Sequence, residues 1–464
     1  FHDTANAVAT VIYTHTLKPT AAVVWSGCWN LIGVLTSTGA VAFGVISLLP
    51  IELVINVGSA AGFAMVFALL LSAIIWNVGT WYFGLPASSS HTLIGSMMGV
   101  GLANSLLVKG QAFGEGVNWA KAREVGVSLL VSPLVGFCAA ALLLLLCKAM
   151  IKAPELYRSP EGKAPPPWIR FLLMITCTGV SFAHGSNDGQ KGMGLIMLIL
   201  IGIVPATYAV NLGTSQQSLQ EMVQTTQQVS QQMDRHAKGT TVGPRQSTEE
   251  LSLYMRTSGT VSEKTFAAIA EKCREISDRL NGKASLTSLD RDQRSSLRTD
   301  IYMVSESLAK LNKQQLLTEA EESKAAADLK SRMDSLTRFI PVWVKVAVAL
   351  ALGLGTMIGW KRIVITVGEK IGKEHLTYAQ GASAELVAMT TIGAADYLGL
   401  PVSTTHVLSS GVAGAMVANN SGIQMRTLRN LLLAWVLTLP VCVLLGAALF
   451  GFGLNIILNI AGVK

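Results

Sequence analysis

Apolar runs of membrane-spanning length recur along this chain, at roughly 22–49, 53–83, 125–147 and 431–460. A helix needs about 20 such residues to cross a bilayer. Only 14% of the 464 residues are charged and half are hydrophobic, with a mean hydropathy of +0.46. A soluble chain carries about 25% charged residues. The bilayer is therefore the solvent against which this sequence has to be read. Other runs, such as 8–17, 91–108, 169–183, 193–210, 342–360, 379–398 and 407–417, include several too short to span alone. The net charge of +8 does not argue for nucleic acid, because cytoplasmic loops of membrane proteins carry an excess of Lys and Arg.

Two linkers show that excess. One holds Lys148, Lys152, Arg158, Lys163 and Arg170, and the other Lys361, Arg362, Lys370 and Lys373. Both are expected on the cytoplasmic side. Between 214 and 338 the composition turns Gln-rich and then densely charged with both signs. This stretch is expected to be a helical insert outside the membrane, on the opposite side from the linkers. Ser247 with Glu250 reads there as a capping box. The six cysteines show neither disulfide nor metal spacing, so no metal site is expected. The opening residues read as the later half of a first helix.

The segment Tyr82-Phe83-Gly84-Leu85-Pro86-Ala87-Ser88-Ser89-Ser90-His91 recurs as Tyr397-Leu398-Gly399-Leu400-Pro401-Val402-Ser403-Thr404-Thr405-His406, at an offset of 315. A second pair is similar when Asp3 is laid on Asp188. Asp3 precedes Pro86 by 83 positions and Asp188 precedes Pro401 by 213; without the 125-residue insert the second spacing is 88. The chain therefore divides into a first repeat (1–150), a linker (151–167), the start of a second repeat (168–213), the insert (214–338) and the remainder (339–464). Duplicated halves with short or interrupted helices are the mark of a secondary transporter, with its site between the halves. Hydropathy leaves open whether the repeats are inverted or parallel.

Pro86 and Pro401 each precede three hydroxyl residues: Ser88, Ser89 and Ser90, and Ser403, Thr404 and Thr405. A helix restarting there offers unpaired N–H groups and the positive end of its dipole, which together suit an oxyanion. Ordinary capping explains one such triplet; its repetition favours a site. Asp3 and Asp188 are carboxylates in apolar segments, a placement that costs at least about 2.5 kcal/mol and marks function. Asn6 lies one turn after Asp3, and Lys191 holds the equivalent place after Asp188. Gly185, Gly189, Gly192 and Gly194 suit either an unwound helix or close packing. Carboxylates beside an anion require an intervening cation or proton. A protonated phosphate can donate to a carboxylate, whereas sulfate cannot. His91 and His406 are expected to cap or pack, while Glu385 and Asp396 have no evident counterparts in the first half. No nucleophile–base pair or metal cluster points to an enzyme.

At these residues the sequence resembles the inorganic phosphate transporter (PiT) family, whose duplicated G-A-N-D-V-A-N-A and G-x-P-x-S-T-T-H segments match both motif pairs. Within it, the bacterial low-affinity phosphate transporters are the most similar. The resemblance implies an all-α integral membrane protein with two inverted repeats, broken helices and re-entrant hairpins around a central phosphate. It implies substrate contacts from Asp3, Asn6, Asp188 and both hydroxyl triplets. Coupling is expected to involve Asp3, Asp188, Asn187, Lys191 and His2. His2 and Lys191 stand where sodium-coupled members have Asn, so protons are expected, with sodium as the alternative. Inorganic phosphate is the expected substrate, alone or complexed with a divalent metal, with sulfate or another oxyanion as the competing reading. The expected setting is the bacterial inner membrane and its lipid bilayer, multi-pass, with no cofactor and with a homodimer left open.

Overall fold

The computed structural model describes residue 2 and residues 4–46, 48–49, 59–107, 112–160, 164–256 and 259–459, without the side chains of 4–6, 202, 203, 205 and 206. Among these residues the regular structure is helical; one isolated bridge joins Gly372 and Ile423. In chain order the helices are α1 (Thr4–Tyr13), α2 (Pro19–Thr36), α3 (Ala40–Ile46), α4 (Ala60–Tyr82), α5 (Ser89–Leu107), α6 (Trp119–Met150), α7 (Pro167–Ile203) and α8 (Pro205–Tyr208). The insert follows as α9 (Gln216–Ala237), α10 (Pro244–Met255), α11 (Glu263–Leu280), α12 (Arg291–Lys313) and α13 (Ala320–Thr337). The chain then continues as α14 (Val342–Thr356), α15 (Lys361–Ile365), α16 (Tyr378–Tyr397), α17 (Thr404–Ala418) and α18 (Met425–Asn459). Helices α4, α6 and α18 are each long and apolar enough to cross a membrane.

The sequence repeat is repeated geometry. Helix α4 ends at Tyr82 and α16 at Tyr397, each followed by a glycine at positive φ: Gly84 at 67° and Gly399 at 66°. Only glycine adopts that left-handed conformation without a Cβ penalty, so it closes the helix. The closing bonds also repeat. Gly84 N–H donates to Trp81 O and Leu85 N–H to Thr80 O, as Gly399 N–H donates to Asp396 O and Leu400 N–H to Ala395 O. Pro86 and Pro401 then keep the chain from continuing as helix. After each turn the chain folds back, so α5 packs along α4 and α17 along α16.

Long helices are exchanged between the halves. Helix α6 packs on α17, and α18 packs on α5. Glycines set these contacts: a Cβ on Gly99 would lie 2.1 Å from Val443 O, and one on Gly414 would lie 2.1 Å from Phe137 O. With little hydrophobic force between helices in lipid, such close backbone approach supplies much of the association. The α2–α7 contact works the same way. A Cβ on Gly33 would meet Phe182 O at 2.2 Å, and one on Gly185 would meet Asn30 O at 2.2 Å.

One open local reading is decided and one expectation changes. Helix α7 runs unbroken through Asp188, so the surrounding glycines serve close packing, not unwinding; the interruption falls at Val204, before α8. Ser247 does not cap, because Pro244 opens α10 three residues earlier; a proline at the first turn needs no N–H partner. Glu250 instead accepts from Thr265 Oγ1 (2.8 Å) at the start of α11. Helices α9–α13 enclose their own apolar core, which includes Leu219, Met233, Ile269, Leu308 and Leu329.

Gly185→Ala should lower the thermal stability of the purified protein, because overpacking costs about 1–3 kcal/mol. Gly126→Ala, where a Cβ meets nothing within 4 Å, should leave it unchanged. Detergent-phase thermal unfolding of both variants checks this; equal midpoints would remove the packing role given to Gly185.

Candidate functional site

The two turn-to-helix junctions meet, and α7 passes beside them. Ser88 Oγ accepts from His91 N–H at 3.2 Å, and Ser403 Oγ accepts from His406 N–H at 3.2 Å. The first hydroxyl of each triplet is therefore an N-cap, satisfying one of the donors that a helix start leaves open. The third hydroxyl of the first triplet bridges the halves: Ser90 Oγ donates to Val402 O at 2.8 Å. Ser89 is half-buried at the first position of α5. Thr404 Oγ1 donates to Asp188 Oδ2 at 3.3 Å, and Thr405 is buried beside it in the first turn of α17.

Lys191 lies at the junction. Its ammonium pairs with Asp188 Oδ1 one turn earlier on α7, donates to Ser90 Oγ at 2.5 Å and donates to Val402 O at 3.0 Å. A lysine ammonium has three donors, and here all three are used. Asp188 receives a second basic neighbour, with His184 Nε2 3.2 Å from Oδ2. His184, Asp188 and Lys191 lie at i, i+4 and i+7, on one face of α7. The Asp188 and Lys191 side chains are only 6% and 7% exposed. His184 Nδ1 lies 2.5 Å from Asn30 Oδ1, tying the face to α2.

The other expected residues are placed less evenly. Asp3 lies outside the described residues, as does the side chain of Asn6, whose backbone is in the first turn of α1. His2 is buried against the end of α4, with Nε2 2.9 Å from Asn77 O and 3.2 Å from Thr80 Oγ1. Asn187 Nδ2 donates to Leu400 O at 3.2 Å, whereas its buried Oδ1 has no hydrogen-bond partner among the described residues. His91 and His406 pack: their ring centroids are 4.6 Å apart, and His406 stacks on Trp435 at 4.1 Å.

Three polar contacts near this face had no sequence role. Ser186 Oγ and Gln190 Nε2 each donate to the Asp396 carboxylate at 2.6 Å, while Gln190 Oε1 accepts from Val41 N–H at 2.9 Å. His184 could have been found from its i, i+4 spacing to Asp188. The Gln190–Asp396 contact, 206 positions apart, carries no local signal. Glu385 is fully buried on α16 and accepts from Thr176 Oγ1 at 2.5 Å.

Helix N-termini carry about half a positive charge each. Among the described residues, two such ends and the Lys191 ammonium lie around Asp188, and the Asp396 carboxylate is held nearby by Ser186 and Gln190. Neutral donors, Ser90 and Thr404, complete the lining. An arrangement like this favours an oxyanion and uses Asp188 to keep the lysine in place.

A profile of the Phosphate transporter family matches residues 1–446. The low-affinity inorganic phosphate transporters PitB and PitA of Escherichia coli K12 are each 43% identical to this chain. The matches cover 98% of it and 94% and 93% of the relatives. A probable low-affinity inorganic phosphate transporter of Bacillus subtilis is 27% identical, over 98% of this chain and 93% of its own length. A solved structure titled the sodium-dependent phosphate transporter shares the fold, with a TM-score of 0.50 at 16% identity over 97% of this chain and 94% of that one.

Lys191→Met should destabilise the folded protein by about 3–5 kcal/mol, because it leaves the Asp188 carboxylate buried without its ammonium. Adding Asp188→Asn should recover most of that loss. A double-mutant cycle read by thermal unfolding checks the coupling, and strictly additive losses would show that the pair does not act as a unit.

Proposed function

The chain belongs to the phosphate transporter family, and on that premise we propose that it imports inorganic phosphate by symport with protons, alternating access around the Asp188–Lys191 junction. It is a transporter, not an enzyme, and a multi-pass protein of the bacterial inner membrane. The observation that carries the reading is the Lys191 ammonium held between two helix starts, with Ser90 and Thr404 beside it. Phosphate brought there meets two helix dipoles, hydroxyl donors and one fixed cation. A protonated phosphate oxygen donates to Asp188 as Lys191 turns from the carboxylate toward the anion. The bound proton thus replaces repulsion by a hydrogen bond.

Lys191 supplies in fixed form the charge that a bound sodium ion would bring, which favours protons as the coupling ion. One observation supports sodium as the second reading: the buried Asn187 Oδ1 is a carbonyl oxygen without a hydrogen-bond partner among the described residues. Such an oxygen is a suitable ligand for a hard cation. On either reading, Asp3 and Asn6 of the first repeat complete the substrate shell, with the remaining hydroxyls of both triplets lining it. A neutral metal–phosphate complex would present less negative charge to the same carboxylates. The repeats are then inverted, with the two helix-turn-helix tips meeting from opposite sides.

Radiolabelled phosphate uptake into proteoliposomes, under separate proton and sodium gradients and with or without magnesium, tests the assignment. We expect uptake driven by a proton gradient alone. Asp3→Asn and Asp188→Asn should each abolish it with the protein still inserted, and Lys191→Asn should weaken proton coupling or introduce sodium dependence. Uptake that requires sodium in the unaltered protein would overturn the coupling ion. No uptake under any gradient, from a folded sample, would overturn phosphate.

A further inference from the structure

We propose that the cleft between the insert and the membrane helices binds a phosphate-bearing anion, held there as the headgroup of an anionic phospholipid. One wall is apolar, with Phe43 and Ile46 from α3 and Leu198 and Ile201 from α7. The opposite wall carries Arg298 and Tyr302 of α12, together with Arg338 just beyond α13. Guanidiniums and a phenol facing four apolar side chains make an amphipathic slot. Its lining pairs guanidinium and phenol donors with apolar side chains, the two chemistries that a phosphate joined to the root of an acyl chain presents.

The two arginines are not equivalent. Arg338 is neutralised by Glu306 and by Asp334, whose Oδ1 lies 3.1 Å from Nε. Arg298 has no carboxylate within ion-pair distance among the described residues. Its Nη1 donates to Ala209 O at 3.1 Å and Thr337 O at 3.0 Å, capping two chain segments. That role occupies one nitrogen of a guanidinium that carries five donors. Burial pushes the Arg298 guanidinium down to about 10, so it stays charged at neutral pH in surroundings that disfavour the charge. An anion in the cleft removes that conflict, and planar guanidinium is the group suited to phosphate.

The height of the cleft selects the source. Ala209, whose carbonyl holds Arg298, follows Tyr208, and the Tyr208 and Trp343 rings meet edge-on with centroids 6.3 Å apart. Paired aromatics of this kind sit at the membrane–water interface, where lipid phosphates lie. Free phosphate has the same oxyanion chemistry but gains nothing from Phe43, Ile46, Leu198 and Ile201.

Native mass spectrometry of the full-length protein, delipidated and then offered phosphatidylglycerol or phosphatidylcholine, tests the site. The unaltered protein should retain phosphatidylglycerol preferentially, undiminished by millimolar inorganic phosphate. Arg298→Gln should reduce that retention about tenfold with the insert still helical by circular dichroism. Should that variant unfold, Tyr302→Phe, which leaves the capped carbonyls untouched, is expected to show a smaller loss. Labelled phosphate binding that depends on Arg298 in the Asp188→Asn background, with lipid retention unaffected, would overturn the lipid assignment. Equal lipid retention by all variants, with no such phosphate binding, would overturn the site.

Discussion

A buried ammonium beside two helix N-termini is costly on every count, since burial and the dipoles both disfavour it. The chain tolerates Lys191 there because each of its three donors is met, by Asp188, Ser90 and Val402. Much of the surrounding architecture follows from that requirement. Ser90 and Val402 belong to different halves, so one side chain fixes α7 against both junctions. Asp188 is in turn held by His184, and His184 by Asn30 on α2. The close Gly33 and Gly185 contacts keep α2 and α7 near enough for this chain of bonds to form.

The duplication explains why the junctions can meet. Each turn is closed by a glycine and capped by the first hydroxyl of its triplet, with matching bonds at matching positions. Because α6 packs on α17 and α18 on α5, each half helps to cover the other's hairpin. The two halves therefore form one folding unit around a shared seam, and that seam is the candidate site. The insert differs in kind: α9–α13 bury an apolar core of their own.

Much of this was legible in the sequence, for physical reasons that differ by residue. The helical character of the apolar runs follows from the lack of backbone partners in lipid. The junctions were legible because Gly84, Pro86 and Ser88, and their counterparts at 315 positions onward, each dictate a local backbone state. The glycines around Asp188 permitted two readings, since glycine both frees a backbone and admits a close neighbour. Only the position of Asn30 O beside Gly185 decides for packing. Likewise, Ser247 and Glu250 form a capping pattern that Pro244 overrides. The Asp396 cluster was invisible, because Ser186, Gln190 and Val41 come from distant segments and match no spacing rule.

The two junctions are alike in backbone, whereas the two halves are unequal in charge. Asn6 in the first half corresponds to Lys191 in the second, and Trp81 to Asp396. The second half therefore contributes a cation and a further carboxylate that the first lacks. A symmetric scaffold can rock between two related arrangements at nearly equal energy, which is what alternating access requires. A symmetric charge distribution would leave the coupling ion to be supplied from solution at both repeats. Placing a fixed ammonium in one repeat breaks that equivalence at the seam without disturbing the turns that build it. On the proposed reading, the backbone repeat provides the motion and the Asn6-to-Lys191 difference selects what is carried along with the phosphate.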